Sequence, residues 1–524
     1  MAERIDAVTI VGGGIAGWLS AVMLDHFLNT GTDAPVRITV VESPETPAPT
    51  AGETTLPSMP ALLHQLGLTE TEVFRRCDAT FKVGVRYTDW TRDAAGEPMS
   101  YLAPHTEPPQ CAGRSPALYH LAFGNGAPDY AQAALPTSIL ADTARAPRTL
   151  NDGDYGARAG YGYHLDADAF AHLLRETALQ RGVDHVLAGI AEVERDATGA
   201  VTALTFADRD ALPVQLVLDV SGRITREALD EPLEAAPTLN DRVIAAHMPA
   251  PRDGGMESCT EITALSAGWA WRVPLGSRLS AGYVYSSDHL DDAGARAELL
   301  AQLGAPSSEP ETAVRTLPGT FGWLRRRWMA NCVAVGPAAA WHEPLDGVAV
   351  GAVDLAIRRL ITYWPDRGDV DALRERYNTV MRNLDREIAD FAGTHYRLSN
   401  RADTAYWRAA AGTAPVSPAH AANLRLWETS LPGPDDLTRN ALFRAPTYTM
   451  LLFGTGHYQG RDLPRSRDLR ERDWAEFRRK VEGAKIQIQR NLPEQRALLA
   501  AMCGDGGKQG ARRMPAGADQ PAAP

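Results

Sequence analysis

Hydrophobic and polar positions alternate with two different periods along the chain, and the changes of period mark its elements. Near the N-terminus an apolar, β-branched run, Val8, Ile10 and Val11, stops at three glycines, and a helical pattern begins beyond them. A second strand, Arg37 to Val41, ends at Glu42. Leu62, Leu63 and Leu66 follow at helical spacing after Pro57 and Pro60, and Gly67 can stop that helix. Residues 80–90, TFKVGVRYTDW, alternate as one strand, whereas 91–160 show little periodicity and read as an insertion wrapping a site. In 161–186, Asp166 or Asp168 can cap a helix whose buried stripe is Phe170, Leu173, Leu174 and Ala178, with Gly182 as its end. Strands follow near 186–195, 201–207 and 213–219. Trp269 and Trp271, two apart in an extended stretch, share a face, and Pro274 closes that stretch. A buried strand from Cys332 to Val335 meets Gly336 and leads through HEPLDG into a long helix. Beyond about 365 the pattern is mainly helical, through 370–392, 415–430 and 472–500, with an irregular glycine loop at 454–460.

These elements predict an α/β fold: strand, glycine turn and helix at the N-terminus, inserted segments, and a helical C-terminal region. The expected organisation is a nucleotide-binding module over 1–395 with insertions at 81–165 and 236–300. A mainly helical region at 396–502 and a low-complexity, disordered tail at 503–524 complete it.

Composition narrows the function. With 524 residues and 44 % hydrophobic content the chain can bury a large core. A net charge of −12 argues against a broad surface for nucleic acid or anionic membrane. The five cysteines (Cys77, Cys111, Cys259, Cys332 and Cys503) are scattered and form no C-x-x-C pair, which fits a reducing compartment and no structural metal. No signal peptide and no apolar run near 20 residues is seen, so a cytoplasmic location is expected.

The chemistry begins at the first turn. Gly12, Gly14 and Gly17 have the spacing G-x-G-x-x-G between a strand and a helix. The first allows the tight turn, the second lets backbone approach a pyrophosphate, and the third lets helix pack on strand. The helix N-terminus then faces the phosphates, and Glu42 is placed to accept from a ribose. Gly52, Glu53, Thr54 and Thr55 follow as a polar loop expected to cover the cofactor, and DVSG (219–222) as a second glycine turn that can approach it. Asp346 and Gly347 sit at the start of the long helix, where backbone N–H groups can face a cofactor or anion. Lys82, taken on its own segment, reads as a solvated residue of a strand face.

Taken together, GGGIAGW (12–18), GETTLP (52–57), FKVGV (81–85), YHLDADAF (163–170), DVSG (219–222), GWAWRVPL (268–275), GYVYSS (282–287), NCVAVG (331–336), EPLD (343–346) and DFAGTHYRLSNRADTAYW (390–407) resemble, in order over some 400 residues, the flavin-dependent halogenases of the tryptophan-halogenase type. The resemblance implies an FAD-binding domain, Rossmann-like and of the glutathione-reductase type, with FAD arriving reduced from a separate flavin reductase. It implies that Gly12, Gly14, Gly17, Trp18, Glu42, Gly52, Glu53, Thr54, Thr55, Gly336 and Leu345 hold the cofactor. Chloride or bromide would be held by backbone amides at Val348 and Ala349 and oxidised to hypohalous acid. That acid would pass a tunnel lined by Trp269, Trp271 and Pro274 to Lys82, with Asp346 as the partner carboxylate. The sequence departs from the family in two ways. Asp346 stands where a glutamate is usual, one methylene shorter, and Gly347, Val348 and Ala349 replace a stretch that usually carries a hydroxyl.

The expected substrate is an electron-rich aromatic of the indole, pyrrole or phenol type, either free or bound to a carrier or peptide. Candidate lining residues are His105, Tyr396, Trp407, Tyr448 and His457. No second nucleotide motif is evident, and a homodimer is an open option. The alternative is a halide-independent flavin monooxygenase of the same fold; a non-catalytic flavin-binding protein is a third reading.

Overall fold

In the computed structural model, which describes residues 4–45, 52–250, 255–304, 315–365, 369–413, 416–438, 441–461 and 469–504, the apolar run at the N-terminus becomes the strand Ala7–Val11 at the heart of a parallel sheet. Its neighbours are Arg37–Glu42 on one side and Leu216–Asp219 on the other, with Asp184–Leu187, Cys332–Ala334 and a short antiparallel edge, Trp328–Met329, completing the sheet. Val8, Ile10 and Val11 are almost wholly buried: Val8 and Ile10 pack under helices on one face, and Val11, with Val41 and Val217, packs on the other face against Val201, Leu204 and Phe206 of the antiparallel strand Val201–Phe206. The helix Gly14–Leu24 follows immediately, packing against Ala167–Gln180 and Val348–Thr362. This is the expected α/β, nucleotide-binding architecture.

A second, seven-stranded sheet runs Arg315–Pro318, Arg242–Pro249, Arg278–Tyr285, Gly268–Pro274, Thr260–Leu265, Gly84–Arg92, Pro98–Pro104. Residues opposite one another in register share a face. Tyr101, Tyr87, Ile262, Trp271 and Gly282 are paired in succession across it and therefore lie on one face. The opposite face, with Ile244, Ala270 and Tyr283, is sealed by the helix Asp292–Gln302. The register slips between Thr88 and Arg92, where four positions oppose two of the partner strand; Asp89 lies there at φ +57°, and the Trp90 ring comes to 6.4 Å from that of Tyr87.

A third sheet of three short strands joins Gly52–Thr54 and Thr80–Lys82 to the two sides of Gly162–Asp166. It corrects three expectations. Gly52–Thr54 is a paired strand rather than a polar loop. The alternating stretch 80–90 is two strands, broken at Val83, whose N–H donates to Ser258. Lys82 is not on a solvated face: its side chain is 0 % exposed, because both faces of this short strand are covered. The region 91–160 is also more regular than its sequence suggests, containing the strand Pro98–Pro104 and the helices Pro116–Phe123, Tyr130–Ala134 and Ser138–Asp142.

The C-terminal region is helical. The helix Val370–Leu398 spans the 395/396 division expected from sequence, and Ala405–Thr413, Pro418–Leu426, Ala445–Gly454, Glu471–Asn491 and Gln495–Cys503 follow. The predicted glycine loop at 454–460 starts later than expected, because Gly454 still belongs to a helix; Tyr101 packs where its side chain would be. Residues 505–524, most of the expected tail, lie outside the described residues. Among the described residues no helix is long and apolar enough to cross a membrane.

Candidate functional site

The glycine turn is built to receive an anion. Gly12 and Gly14 have φ of +113° and +70°, which favour glycine. A Cβ on Gly17 would lie 2.0 Å from the carbonyl oxygen of Gly12, so the helix packs on the turn only because that atom is missing. A Cβ on Gly14, by contrast, would meet nothing within 4 Å, so the space above the helix end is open. No side chain caps this helix and no acidic residue occupies its first turn, which leaves its N–H groups and positive dipole end for a ligand. Glu42 reaches under the turn, its carboxylate where a Cβ of Gly13 would fall, with His185 Nε2 3.2 Å from its other oxygen. Trp18 is buried, edge-on to His185. Val220 and Ser221 pack on Gly12, and Asp219 gathers the N–H groups of Ser221, Gly222, Ile224 and Thr225. Gly336, at φ +60°, abuts Ala16 of the first helix. These residues fit the pyrophosphate and ribose of an FAD.

The second centre is the buried lysine. Lys82 Nζ donates to the carbonyl oxygens of Thr55 (3.2 Å) and Asp346 (3.1 Å), and lies 3.5 Å from the Asp346 carboxylate. It thereby ties the Gly52–Thr54 strand to the turn ahead of the long helix. The two meet closely: Gly347, at φ +75°, has no room for a Cβ, which would lie 2.5 Å from the Thr54 carbonyl oxygen. Asp346 itself is at φ +63°, a left-handed conformation unusual for a side-chain-bearing residue. Burial pushes the Lys82 ammonium below its ordinary value and the Asp346 carboxyl above its own, while their mutual attraction opposes both shifts. Val348 and Ala349 open the helix Val348–Thr362, directly after the tight turn Leu345–Gly347. Val348 is buried and Ala349 exposed. Leu345 is buried, its N–H donating to the Glu343 carbonyl oxygen.

A chain of small polar groups orders the strands around the lysine. Thr80 gives its hydroxyl proton to Pro274 O (2.7 Å), so His164 Nδ1, 3.0 Å away, must donate to Thr80. Burial, helped by Lys82, holds His164 well below its usual range, hence neutral. Its Nε2 then accepts from Thr260 (2.9 Å), and Thr54 donates in turn to Thr260 (3.2 Å). Thr55 closes the set, its N–H donating to Tyr163 O. Glu53, with its carboxyl raised to about 7 by burial, sits between Gly52 and Thr54 on that strand.

One face of the seven-stranded sheet walls this centre. Trp269 is fully buried and Trp271 half-buried, their rings 6.0 Å apart, and Pro274 ends their strand. Tyr87 and Tyr101 stack 5.0 Å apart, both close enough to Asp346 for its charge to raise their hydroxyls further above the usual range, an effect dominated by burial. His105 is kept neutral by burial and by Lys82, and its Nε2 has no partner among the described residues. Tyr396 and Trp407 join this wall through Trp90, whereas Tyr448 packs among Phe391, His420 and Trp427. His457, pushed down to about 4, lines a separate cavity of about 510 Å³ where the helices Val370–Leu398, Pro418–Leu426 and Ala445–Gly454 end. The arginines there, Arg397 and Arg425, complement helix C-termini.

The sequence reading missed Glu343, His164, Thr260, Tyr87 and Tyr101. Glu343 had one signal, its place three residues before Asp346; the others read as ordinary strand residues.

Comparison with known proteins identifies the family. Residues 7–469 match the family model described as tryptophan halogenase. Tryptophan 7-halogenase RebH from Lentzea aerocolonigenes is 30 % identical over 438 residues, covering 78 % of this chain and 79 % of that protein. The crystal structure of a tryptophan halogenase from Shewanella frigidimarina superposes with a TM-score of 0.88 at 28 % identity, covering 97 % of this chain and 98 % of the other. BrvH, a flavin-dependent halogenase from a Brevundimonas species, does so with a TM-score of 0.83 at 28 % identity, covering 95 % and 99 %.

Proposed function

The chain belongs to the tryptophan-halogenase family of flavin-dependent enzymes, and from that premise we propose that it halogenates an electron-rich aromatic through Lys82, using chloride or bromide and reduced FAD delivered by a separate reductase. Bound reduced FAD, with oxygen, supplies the oxidising equivalent that turns halide into hypohalous acid. The observation that carries the reading is the wholly buried Lys82 ammonium, 3.1 Å from the backbone and 3.5 Å from the carboxylate of Asp346. In a site that excludes water, that ammonium donates to the oxygen of hypohalous acid and polarises the halogen towards the ring. The Asp346 carboxylate supports the ammonium charge and takes the proton the ring loses on substitution. The helix end at Val348 and Ala349 holds the halide by backbone alone. Trp269, Trp271 and Pro274 line the oxidant's path and keep the aromatic substrate, an indole, pyrrole or phenol, free or bound to a carrier or peptide, from the cofactor.

A second reading, halide-independent oxygenation on the same fold, is favoured by the absence of a hydroxyl side chain at Gly347, Val348 and Ala349. One experiment separates them. The protein is supplied with FAD, NADH, a flavin reductase, oxygen and chloride or bromide over a panel of indoles and phenols, and products are weighed by mass spectrometry. A halogen isotope pattern lost in Lys82→Ala supports the halogenase. A product heavier by one oxygen and indifferent to halide supports the oxygenase. Rapid NADH oxidation without added reductase overturns the two-component reading.

A further inference from the structure

Glu343 is the point where four segments of the chain meet. Its carboxylate accepts from Trp269 Nε1 (2.9 Å), from the Tyr396 hydroxyl (2.7 Å) and from the Thr238 hydroxyl. Tyr396 in turn accepts from Asn240 Nδ2 (2.8 Å), whose oxygen accepts from Tyr406 (2.9 Å). Every proton in this chain runs towards one buried acceptor. The donors come from the tunnel-side strand Gly268–Pro274, the last turn of Val370–Leu398, the helix Ala405–Thr413 and the 238–240 segment. The Glu343 backbone oxygen meanwhile holds Leu345 N–H (2.8 Å), the residue before Asp346.

Packing alone does not call for this arrangement. A buried carboxylate is costly, an apolar residue of similar volume often serves stability as well, and no cation pairs with Glu343 among the described residues. What the carboxylate adds is direction: it aims the Trp269 indole and the Tyr396 ring at the segment that carries Asp346. We propose that Glu343 is a positioning residue of the reaction centre, binding the tryptophan wall, the end of the long helix and the Asp346 turn into one body so that oxidant reaches Lys82 without escaping. The inference rests on the halogenase reading above.

The test compares Glu343→Leu, which removes the acceptors at similar volume, with Glu343→Gln, whose amide oxygen can still accept from Trp269 and Tyr396. Two quantities are read in the same turnover: halogenated aromatic product, and hypohalous acid escaping to solution, captured by a β-diketone. FAD affinity and melting temperature are measured alongside. In Glu343→Leu the escaping fraction rises about tenfold while FAD affinity holds, as expected for a misplacement near 1 Å. Glu343→Gln stays close to the wild type. If Glu343→Leu does not fold, Trp269→Phe and Tyr396→Phe, each deleting one donor, give the same rise. An unchanged escaping fraction in a folded Glu343→Leu overturns the proposal, and so does a Glu343→Gln as leaky as Glu343→Leu, because charge rather than aim would then matter. A wild type giving neither halogenated product nor captured oxidant fails at the halogenase reading itself and takes the inference with it.

Discussion

The glycine turn at the N-terminus and the lysine centre face charge in opposite ways. At the turn the protein presents no side-chain charge to a phosphate. It offers backbone N–H groups at an uncapped helix end, with open space above Gly14. At the lysine centre the charges belong to side chains taken out of water, and Lys82 meets a partner 264 positions away in sequence. The turn is made by one continuous segment and works by what is absent, a Cβ at Gly17 and a cap at Gly13. The lysine centre forms only when two sheets and a helix end are all in place. Under the proposed function the difference separates holding a cofactor from doing chemistry, and each is expected to break without the other.

The largest effect is expected at the lysine. If Lys82 is the donor proposed above, Lys82→Ala lowers halogenated product by about 100- to 1000-fold, the range seen on losing one buried electrostatic donor. FAD affinity, measured by fluorescence titration, stays within about twofold, because no residue of the glycine turn touches Lys82. Loss of FAD together with activity would mean that the two regions are one.

Gly17→Val is the complementary break. Its Cβ would overlap the Gly12 carbonyl, a backbone atom that cannot swing aside. Overpacking of this kind costs about 1–3 kcal/mol of stability, read as a lower melting temperature, and FAD binding weakens by about 100-fold because the turn can no longer close on the pyrophosphate. The Lys82 contacts, on other segments, remain.

Asp346→Asn comes third, slowing product formation about 30-fold, since the neutral amide can neither support the ammonium nor take the ring proton. The pH profile gives the sign. Burial depresses Lys82, so its ammonium is lost on the alkaline side earlier than for an ordinary lysine. Burial raises Asp346, so its carboxylate is lost on the acid side earlier than for an ordinary aspartate. Both limbs move inward and the rate–pH profile is a narrow bell. In Asp346→Asn the acid limb disappears, and the alkaline limb moves to lower pH because the charge supporting Lys82 is gone. A profile unchanged by the substitution would remove Asp346 from the chemistry.

The two regions also differ in how far they could be read from sequence. The turn was legible to the residue: the run Val8–Val11, the glycine spacing and the acid after the second strand all describe one local object, and the parallel sheet forms around it. Lys82 on its own segment was not. Alternation assigns every second residue of a strand to solvent, and it fails for Thr80–Lys82, which is covered on both faces. Only resemblance to a family placed the lysine at a site. Gly52–Thr54 read as a loop because its polar side chains carry no strand signal; it is a strand because its backbone pairs with Asp166, Leu165 and His164, and its Thr54 hydroxyl finds Thr260. Glu343 carried only its place three residues before Asp346 as a signal, since a carboxylate in a loop ordinarily faces water and its three donors are scattered along the chain. Local order survives in a sequence pattern, whereas a site assembled from distant segments leaves only isolated residues of unexpected type.

The smallest effect tests the edge of the cradle. Glu42 closes the second strand, passes beneath Gly13, and keeps one oxygen near His185 Nε2 at 3.2 Å. Its other oxygen lies under the turn, where the proposed reading has it accept from a ribose hydroxyl. Glu42→Gln preserves length and shape, and its amide can keep either the histidine or the ribose contact but cannot accept at both ends. The loss is one charge-assisted hydrogen bond exchanged for a neutral one, about 1 kcal/mol, or roughly fivefold in FAD affinity. Turnover at saturating FAD should not change, because the substitution touches neither Lys82 nor Asp346. A rate that falls at saturation would show that the acid end of the second strand reaches the reaction centre, and the division between holding and reacting would have to be redrawn through Glu42.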